Sequence, residues 1–260
     1  MANIQPVTKS RHGDKYWKRI THFNFAGGDA LCPLVIQELP RAAACLPVAF
    51  VTADDTLTPV AVQSLEPGKN LLVAPNGQWL AEYIPASYRG YPFRLAASAD
   101  GKQVLCIDED SGVITDDPND ERFFDNADNP SEAITGLLNF HDHLLANRQA
   151  TNTVSRQLQK FGLICPWLFG TDSQNHQSDA GLSKIDEDAL NKLPAESLLE
   201  LRNSGGLGAC YAQLLSMQQL TKLQRLAAVI AANKEKIDNY TNRQNLGWFD
   251  DMDTINFDNL

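Results

Sequence analysis

Short apolar runs broken by turn residues fill the first half of the chain, whereas stretches with apolar positions three and four apart fill the second. Pro47–Val51, Val60–Val62, Leu71–Val73, Phe93–Leu95 and Val104–Ile107 have the length and the bounding residues of strands. Asn76-Gly77 separates Leu71–Val73 from Trp79-Leu80, and Asp100-Gly101 separates Phe93–Leu95 from Val104–Cys106. Both dipeptides accept the positive φ of a two-residue turn, so two hairpins are predicted. The run Ala42-Ala43-Ala44 after Pro40 predicts a short helix within 35–45, which the proline keeps from being longer.

The period changes near residue 130. Asn129-Pro130-Ser131-Glu132 reads as a helix start, with Asn129 as cap and Glu132 in the capping-box position. Ile134, Leu137, Leu138, His141, Leu144 and Leu145 then keep the spacing of one buried helical face, predicting a helix over about 130–160. Leu163–Phe169 reads as extended, and the polar run Gly170–Ala180 turns the chain back toward Leu182–Ile185. Asp186 caps a helix running toward Leu193, Pro194 interrupts it, and Ala195–Asn203 resumes it up to Gly205-Gly206. From Leu207 to Lys236, Tyr211, Leu214, Leu215, Leu220, Leu223, Leu226 and Ile230 predict one long helix, on the order of 40 Å. The fold class expected is α+β: an amino-terminal β-rich half with hairpins, then a helical carboxy-terminal half ending in a long helix. The division expected is a basic arm at 1–20, a β-rich region at 21–128, a helical region at 129–240 and an acidic tail at 241–260. Residues 21–240 can share one core.

With 260 residues, 43% hydrophobic and 21% charged, the chain has ample material for a core, which excludes a disordered, collagenous or small disulfide-bonded protein. Lys and Arg number 22 against 32 Asp and Glu, and a net charge of -10 argues against nucleic acid as a partner. Lys9, Arg11, Lys15, Lys18 and Arg19 are the exception. They are expected to form a solvated terminus, the alternative being a flexible arm docked on an acidic surface. Asp108, Glu109, Asp110, Asp116, Asp117, Asp120, Glu121, Asp125 and Asp128 are opposed only by Arg122, which predicts a loop or linker rather than core. Cys32, Cys45, Cys106, Cys165 and Cys210 are odd in number, widely spaced and mostly in apolar surroundings, as buried thiols in a reducing cytoplasm would be. The amino terminus has no apolar run of signal-peptide length and no window approaches the roughly 18 apolar residues of a membrane span, so a cytoplasmic protein without membrane insertion is expected.

Motifs with a mechanism are missing. No glycine-rich phosphate loop, CxxC, HExxH or G-x-S-x-G occurs, and the acidic run lacks the twelve-residue calcium spacing. No catalytic residue, metal ligand or cofactor is assigned on these grounds. His141, on the apolar stripe, reads as a core histidine. The segment richest in recognition chemistry is Tyr83–Arg94. Tyr83, Tyr88, Arg89, Tyr91 and Arg94, with Trp167 after Pro166, form the candidate binding set. Tyrosine combines a rigid apolar body with a polar tip, and arginine offers a fork that matches a carboxylate. The competing expectation is that the aromatics pack as core and the arginines stack on them.

At these segments the chain resembles the SapC family of bacterial proteins. The resemblance rests on Tyr83-Ile84-Pro85-Ala86 leading through Arg89 to Tyr91-Pro92-Phe93, on Leu105–Asp110, on Pro166-Trp167, and on Gly181-Leu182 with Ile185-Asp186-Glu187 and Leu190-Asn191. It ends with Tyr211–Met217, and 221–260 has no counterpart in it. The family takes its name from a bacterial surface-layer locus, and its members are often encoded near proteins resembling tryptophan halogenases and outer-membrane receptors. The resemblance therefore implies an accessory role beside such systems and brings no catalytic mechanism.

Three functions follow as expectations. The first is a soluble accessory protein that recognises a peptide segment or partner protein through Tyr83, Arg89, Tyr91 and Arg94. The alternative is an enzyme or enzyme subunit acting on a peptide or small molecule, with His22, His141 or the acidic loop converging in one pocket. The third is a homo-oligomer, because Leu223, Leu226, Ile230 and Ile237 approach a heptad seam.

Overall fold

The computed structural model describes residues 3–53, 55–98, 100–168 and 181–250, with side chains to 236 apart from 234. The side chains of Ile237 of the expected seam, Trp248 and Phe249, the whole polar turn at 170–180 and the tail beyond 250 lie outside what is described.

The chain begins with β1 (Ile4–Pro6), α1 (Lys9–His12), β2 (Tyr16–Trp17), β3 (Leu31–Pro33) and α2 (Leu39–Ala42). There follow β4 (Val48–Ala53), β5 (Thr56–Val62), α3 (Ala86–Arg89), β6 (Phe93–Ala97), β7 (Gln103–Asp108), β8 (Ile114–Thr115) and β9 (Glu121–Arg122). The second half is mainly helical: α4 (Glu132–Lys160), β10 (Ile164–Pro166), β11 (Leu182–Ile185), α5 (Glu187–Asn191), α6 (Ala195–Asn203), α7 (Gly206–Ser216) and α8 (Gln219–Asp250). The architecture is α+β, as the periodicity predicts.

Three antiparallel sheets carry it, in the orders β1-β7-β6, β10-β11-β4-β5-β3 and β8-β2-β9. The five-stranded sheet is covered by helices: α4 packs on β5, and α7 packs on β4 and β11. Both faces of its central strands are therefore apolar, and Val48, Ala49, Phe50, Val60, Ala61 and Val62 are all buried. This main core also takes Leu158, Leu201, Cys210 and Leu223 from the helical half. A second core gathers Trp17, Phe93, Leu105, Ile107, Val113, Phe123 and Ile134 where the two smaller sheets meet the start of α4.

Local signals were reliable where one residue closes its own turn. Gly101 has a φ of 80°, and the register Phe93↔Ile107 to Ala97↔Gln103 builds the expected hairpin around it. Asp186 caps α5 by accepting from the Ala189 N–H at 3.0 Å. Four expectations are corrected. Leu71–Val73 is not a strand: the Leu72 N–H donates to Asn70 Oδ1 at 2.9 Å and the Leu71 N–H to Gln63 O at 3.2 Å, leaving an isolated Val73↔Trp79 bridge around Gly77. The cap of α4 is Ser131 rather than Asn129: the helix starts at Glu132, and Ser131 Oγ accepts from the Ile134 N–H at 3.2 Å. The single helix expected over 207–236 is two, α7 and α8, broken at Met217-Gln218, and α8 continues to Asp250. Residues 108–130 are not a mere loop, since β8 and β9 flank β2, and Val113 and Phe123 are core.

The basic amino-terminal residues are not solvated freely either. β1 pairs with β7, and Lys9, Arg11, Lys15, Lys18 and Arg19 pair with Asp128, Glu109, Asp116, Asp120 and Glu121. The acidic surface that such an arm would seek is the chain's own.

Candidate functional site

The turn from Ile84 to Phe93 is fixed from three sides. Glu38, buried beside α2, accepts from the Val35 N–H at 3.0 Å, the Ala86 N–H at 2.6 Å and the Tyr83 hydroxyl at 2.6 Å. A buried carboxylate with three such donors is stable only in this arrangement, and it pins the start of α3. Tyr88 points inward, its hydroxyl 3.0 Å from Asp29 Oδ2 and 3.1 Å from Gln63 Oε1. Tyr91 stacks on Phe25 with ring centroids 3.9 Å apart, and the Tyr91–Pro92 peptide bond is cis. Gly90 then lies directly against α4. A Cβ at that position would fall 2.7 Å from His141 Cε1 and 3.2 Å from Phe140 Cε1, so only glycine lets the turn come this close.

Between this turn, the strand end at Trp17–Ile20 and the first turns of α4 lies an open cleft of about 700 Å³. Trp17, Phe23, Tyr88, Tyr91 and Phe93 provide its aromatic lining, and Ala133, Gly136 and Leu137 of α4 line it as well. The cleft sits where two ring clusters meet: Phe23, Phe25, Trp79, Tyr88 and Tyr91 on one side, and Trp17, Phe93, Phe123 and His12 on the other. Its charged groups are Arg19, Arg89, Glu121 and Glu132. Arg19 is spent on Glu121 at 3.0 Å. Glu132 has no hydrogen-bond or ion-pair partner among the described residues.

Arg89 is held yet not consumed. Its guanidinium lies 5.5 Å from the Phe140 ring centre and 5.8 Å from that of Tyr83, close enough for cation–π attraction to both. Among the described residues only Nη2 is committed, to Tyr83 Oη at 3.4 Å and to Glu38 at 3.8 Å. The remaining guanidinium donors stay free for a ligand. Burial raises the pKa of the Tyr83 phenol, and its hydrogen bond to Glu38 raises it further. Burial likewise raises that of Tyr88. Both hydroxyls therefore remain protonated donors at neutral pH.

The candidate residues from the sequence divide into three groups. Tyr88, Arg89 and Tyr91 line the cleft, and Tyr83 braces Arg89 from behind. Arg94 is exposed on β6, opposite Cys106, and does not line the cleft. Trp167 is core, 5% exposed beside β10. The residues that sequence reasoning missed are Glu38, Trp17, Phe23, Gly136 and Leu137. Glu38 had a signal, being one acid inside the apolar stretch Val35–Pro40, whereas the others reach the cleft only through the tertiary fold. The histidines do not converge: His22 is exposed, and His141 is buried against Gly90 with its pKa lowered by burial. Among the described residues, no three of His, Cys, Asp or Glu are grouped to hold a metal ion. The cysteines are all free, with Cys32, Cys106 and Cys210 buried and Cys45 and Cys165 partly exposed. No described helix is long and apolar enough to cross a membrane.

Fold and site together give an α+β chain with an aromatic cleft that carries two arginines and two glutamates. Compared with models of protein families, the chain matches SapC over residues 7–223. It belongs to the SapC family. Neither curated proteins nor solved structures give a match.

Proposed function

We propose that the protein is a non-catalytic accessory protein whose aromatic cleft recognises a peptide segment or a partner protein. The observation that carries this is the cleft itself: five aromatic residues line it together with the first turns of α4, and a braced arginine stands at the edge. Large rigid rings beside one guanidinium are the composition of binding hot spots, where apolar side chains are buried and a carboxylate fixes orientation. The accessory role implied by the family's surface-layer, receptor and halogenase-like company agrees with such a scaffold.

The test is a random-peptide display selection on the immobilised protein. A tryptophan at Gly136 is the control, because a Cβ there meets no atom within 4 Å and the new ring would project into the cleft without disturbing the core. Clones carrying aromatic or aliphatic residues should enrich, and their affinity should fall at least about tenfold with Gly136→Trp, and likewise with Arg89→Ala, one lost charge-assisted contact being worth that much. Circular dichroism melts should show both variants folded. Failure of any clone to enrich, or undiminished binding to the plugged variant, would reject the proposal.

A further inference from the structure

A strand at the border of a sheet offers a row of backbone donors and acceptors to any extended chain, and folded proteins guard such borders with prolines, brevity or cover. Here β1, β3 and β10 each border a sheet and each hold a proline, at Pro6, Pro33 and Pro166. The borders β8 and β9 are two residues long. β6 is different: it borders the sheet β1-β7-β6, runs for five residues and has no proline. Which of its groups face outward follows from the ladder. The Ser98 N–H donates to Lys102 O at 2.8 Å and the Asp108 N–H to Pro92 O at 3.1 Å, so in the alternation between them Arg94 and Ala96 turn their backbone groups toward β7. The N–H and C=O of Leu95 and Ala97 therefore turn away from it, and these groups have no hydrogen-bond partner among the described residues. Arg94 and Ala97 are exposed and Leu95 and Ala96 half-buried, so water satisfies this row.

The row is continuous with the cleft, because Phe93 at the start of β6 also lines it. We infer, resting on the peptide-binding proposal above, that the partner is an acidic extended segment that adds to the open border of β6 as a further strand and reaches the cleft from there. Its backbone bonds to Leu95 and Ala97 in place of water, the mode by which an exposed strand takes up a peptide. Side chains alternate along a strand, so every second one of the segment falls on the face of Phe93 and Leu95, where apolar residues are buried, and the others fall on the face of Arg94. Arg94 has no hydrogen-bond or ion-pair partner among the described residues, and β6 contains no acid. A second copy of β6 would thus bring Arg94 near its like, whereas a carboxylate on the segment pairs with it across the strands.

The probe is the acetylated peptide Glu-Leu-Glu-Phe-Glu-Leu-amide with an uncharged fluorophore on a glycine spacer, and fluorescence anisotropy with the full-length protein reads its affinity. Two further versions are N-methylated, one on all its apolar residues and the other on all its glutamates. Successive N–H groups of a strand face opposite sides, so one version should lose at least about tenfold in affinity and the other should keep it, although their side chains are the same. On the protein, Ala97→Pro removes an outward donor and sets a ring on the border without touching the ladder to β7. It should weaken the parent peptide at least about tenfold while the circular dichroism melt stays unchanged, and Arg94→Glu should weaken it as well. Equal affinities of the two methylated versions, both kept or both lost, would overturn strand addition; the cleft proposal would stand if Gly136→Trp still abolished binding of the parent. Absence of binding by the parent at millimolar concentration would overturn strand addition too, while the display selection separately decides whether the cleft binds peptides at all. A dimer of the free protein, seen by sedimentation and dissolved by Ala97→Pro, would give the border to a second copy and overturn the inference.

Discussion

His12 and His141 are the residues at which the fold is most exposed to pH. His12 is almost fully buried, packs on Phe123 with ring centroids 4.9 Å apart, and accepts the Thr8 N–H at Nδ1. Glu109 lies 3.4 Å from its Nε2. Burial nonetheless outweighs the carboxylate and lowers the pKa of His12, and burial lowers that of His141 as well. A base whose folded pKa is depressed stays neutral while its unfolded counterpart takes up a proton, so the unfolded state binds more protons on acidification. Stability should thus fall as pH drops through about 6.5 and level off below the depressed folded values. Urea midpoints measured at pH 7.5 and 5.5 should show a lower value at 5.5. The difference should shrink in the pair His12→Gln and His141→Leu; an unchanged difference would place the sensitivity elsewhere. The carboxylates lowered by their partners, such as Glu109 beside Arg11, act only at more acidic pH and do not confuse this window.

At the scale of elements, α7 shows how buried polar side chains join the two halves of the chain. Gln213 takes the Ile185 N–H at 2.9 Å on its oxygen and donates to Val48 O at 3.0 Å, bridging β11 and β4. Ser216 Oγ accepts from the Val48 N–H at 2.9 Å. Gln213→Ala would leave the buried Ile185 N–H unpaired and remove the shorter of two donors to Val48 O, which Ser216 Oγ also approaches at 3.5 Å, a cost of about 1–3 kcal/mol. Leu215→Ala on the exposed face of the same helix should cost less than about 0.5 kcal/mol, and chemical denaturation compares the two. Both residues belong to the stretch Tyr211–Met217 that carries the family resemblance, yet only its inward members do structural work. The legibility of the sequence followed the same division. Turns and caps closed by neighbours, as at Asp100-Gly101 and Asp186, could be read directly. Leu71–Val73 could not, because its Leu71 N–H is taken by Gln63 O from an earlier part of the chain rather than by a strand partner across Asn76-Gly77. The cleft was half legible on the same grounds: the Tyr83–Arg94 turn announced itself by composition, whereas its lining on α4 is polar and apolar residues whose role depends on packing.

Across the whole molecule, the amino-terminal segment and the acidic segment complete one another, and two kinds of force compete as the cause. Five cation–carboxylate pairs join them, but most of these side chains are well exposed, Lys9 and Asp128 for example at 58% and 59%. Exposed pairs contribute little and are screened by salt. The apolar link is different in kind: Trp17 is 5% exposed, meets Phe93 edge-on at 4.9 Å, and shares a core with Val113 and Phe123. Removing such a ring costs about 3–5 kcal/mol, so Trp17→Ala should lower the urea midpoint steeply. Because the Trp17 indole N–H has no acceptor among the described residues, Trp17→Phe loses no hydrogen bond and should be tolerated far better. Reversing Lys9, Lys15 and Lys18 to glutamate should shift the midpoint only slightly, and 0.5 M sodium chloride should erase that shift. A large, salt-sensitive loss in the triple variant with a small one in Trp17→Ala would invert the order and make charge the force that closes this end of the molecule. Since Trp17 is also a wall of the cleft, the expected order carries a functional corollary: the site is built by the same burial that seats the amino terminus, and Trp17→Phe should keep peptide binding where Trp17→Ala loses it.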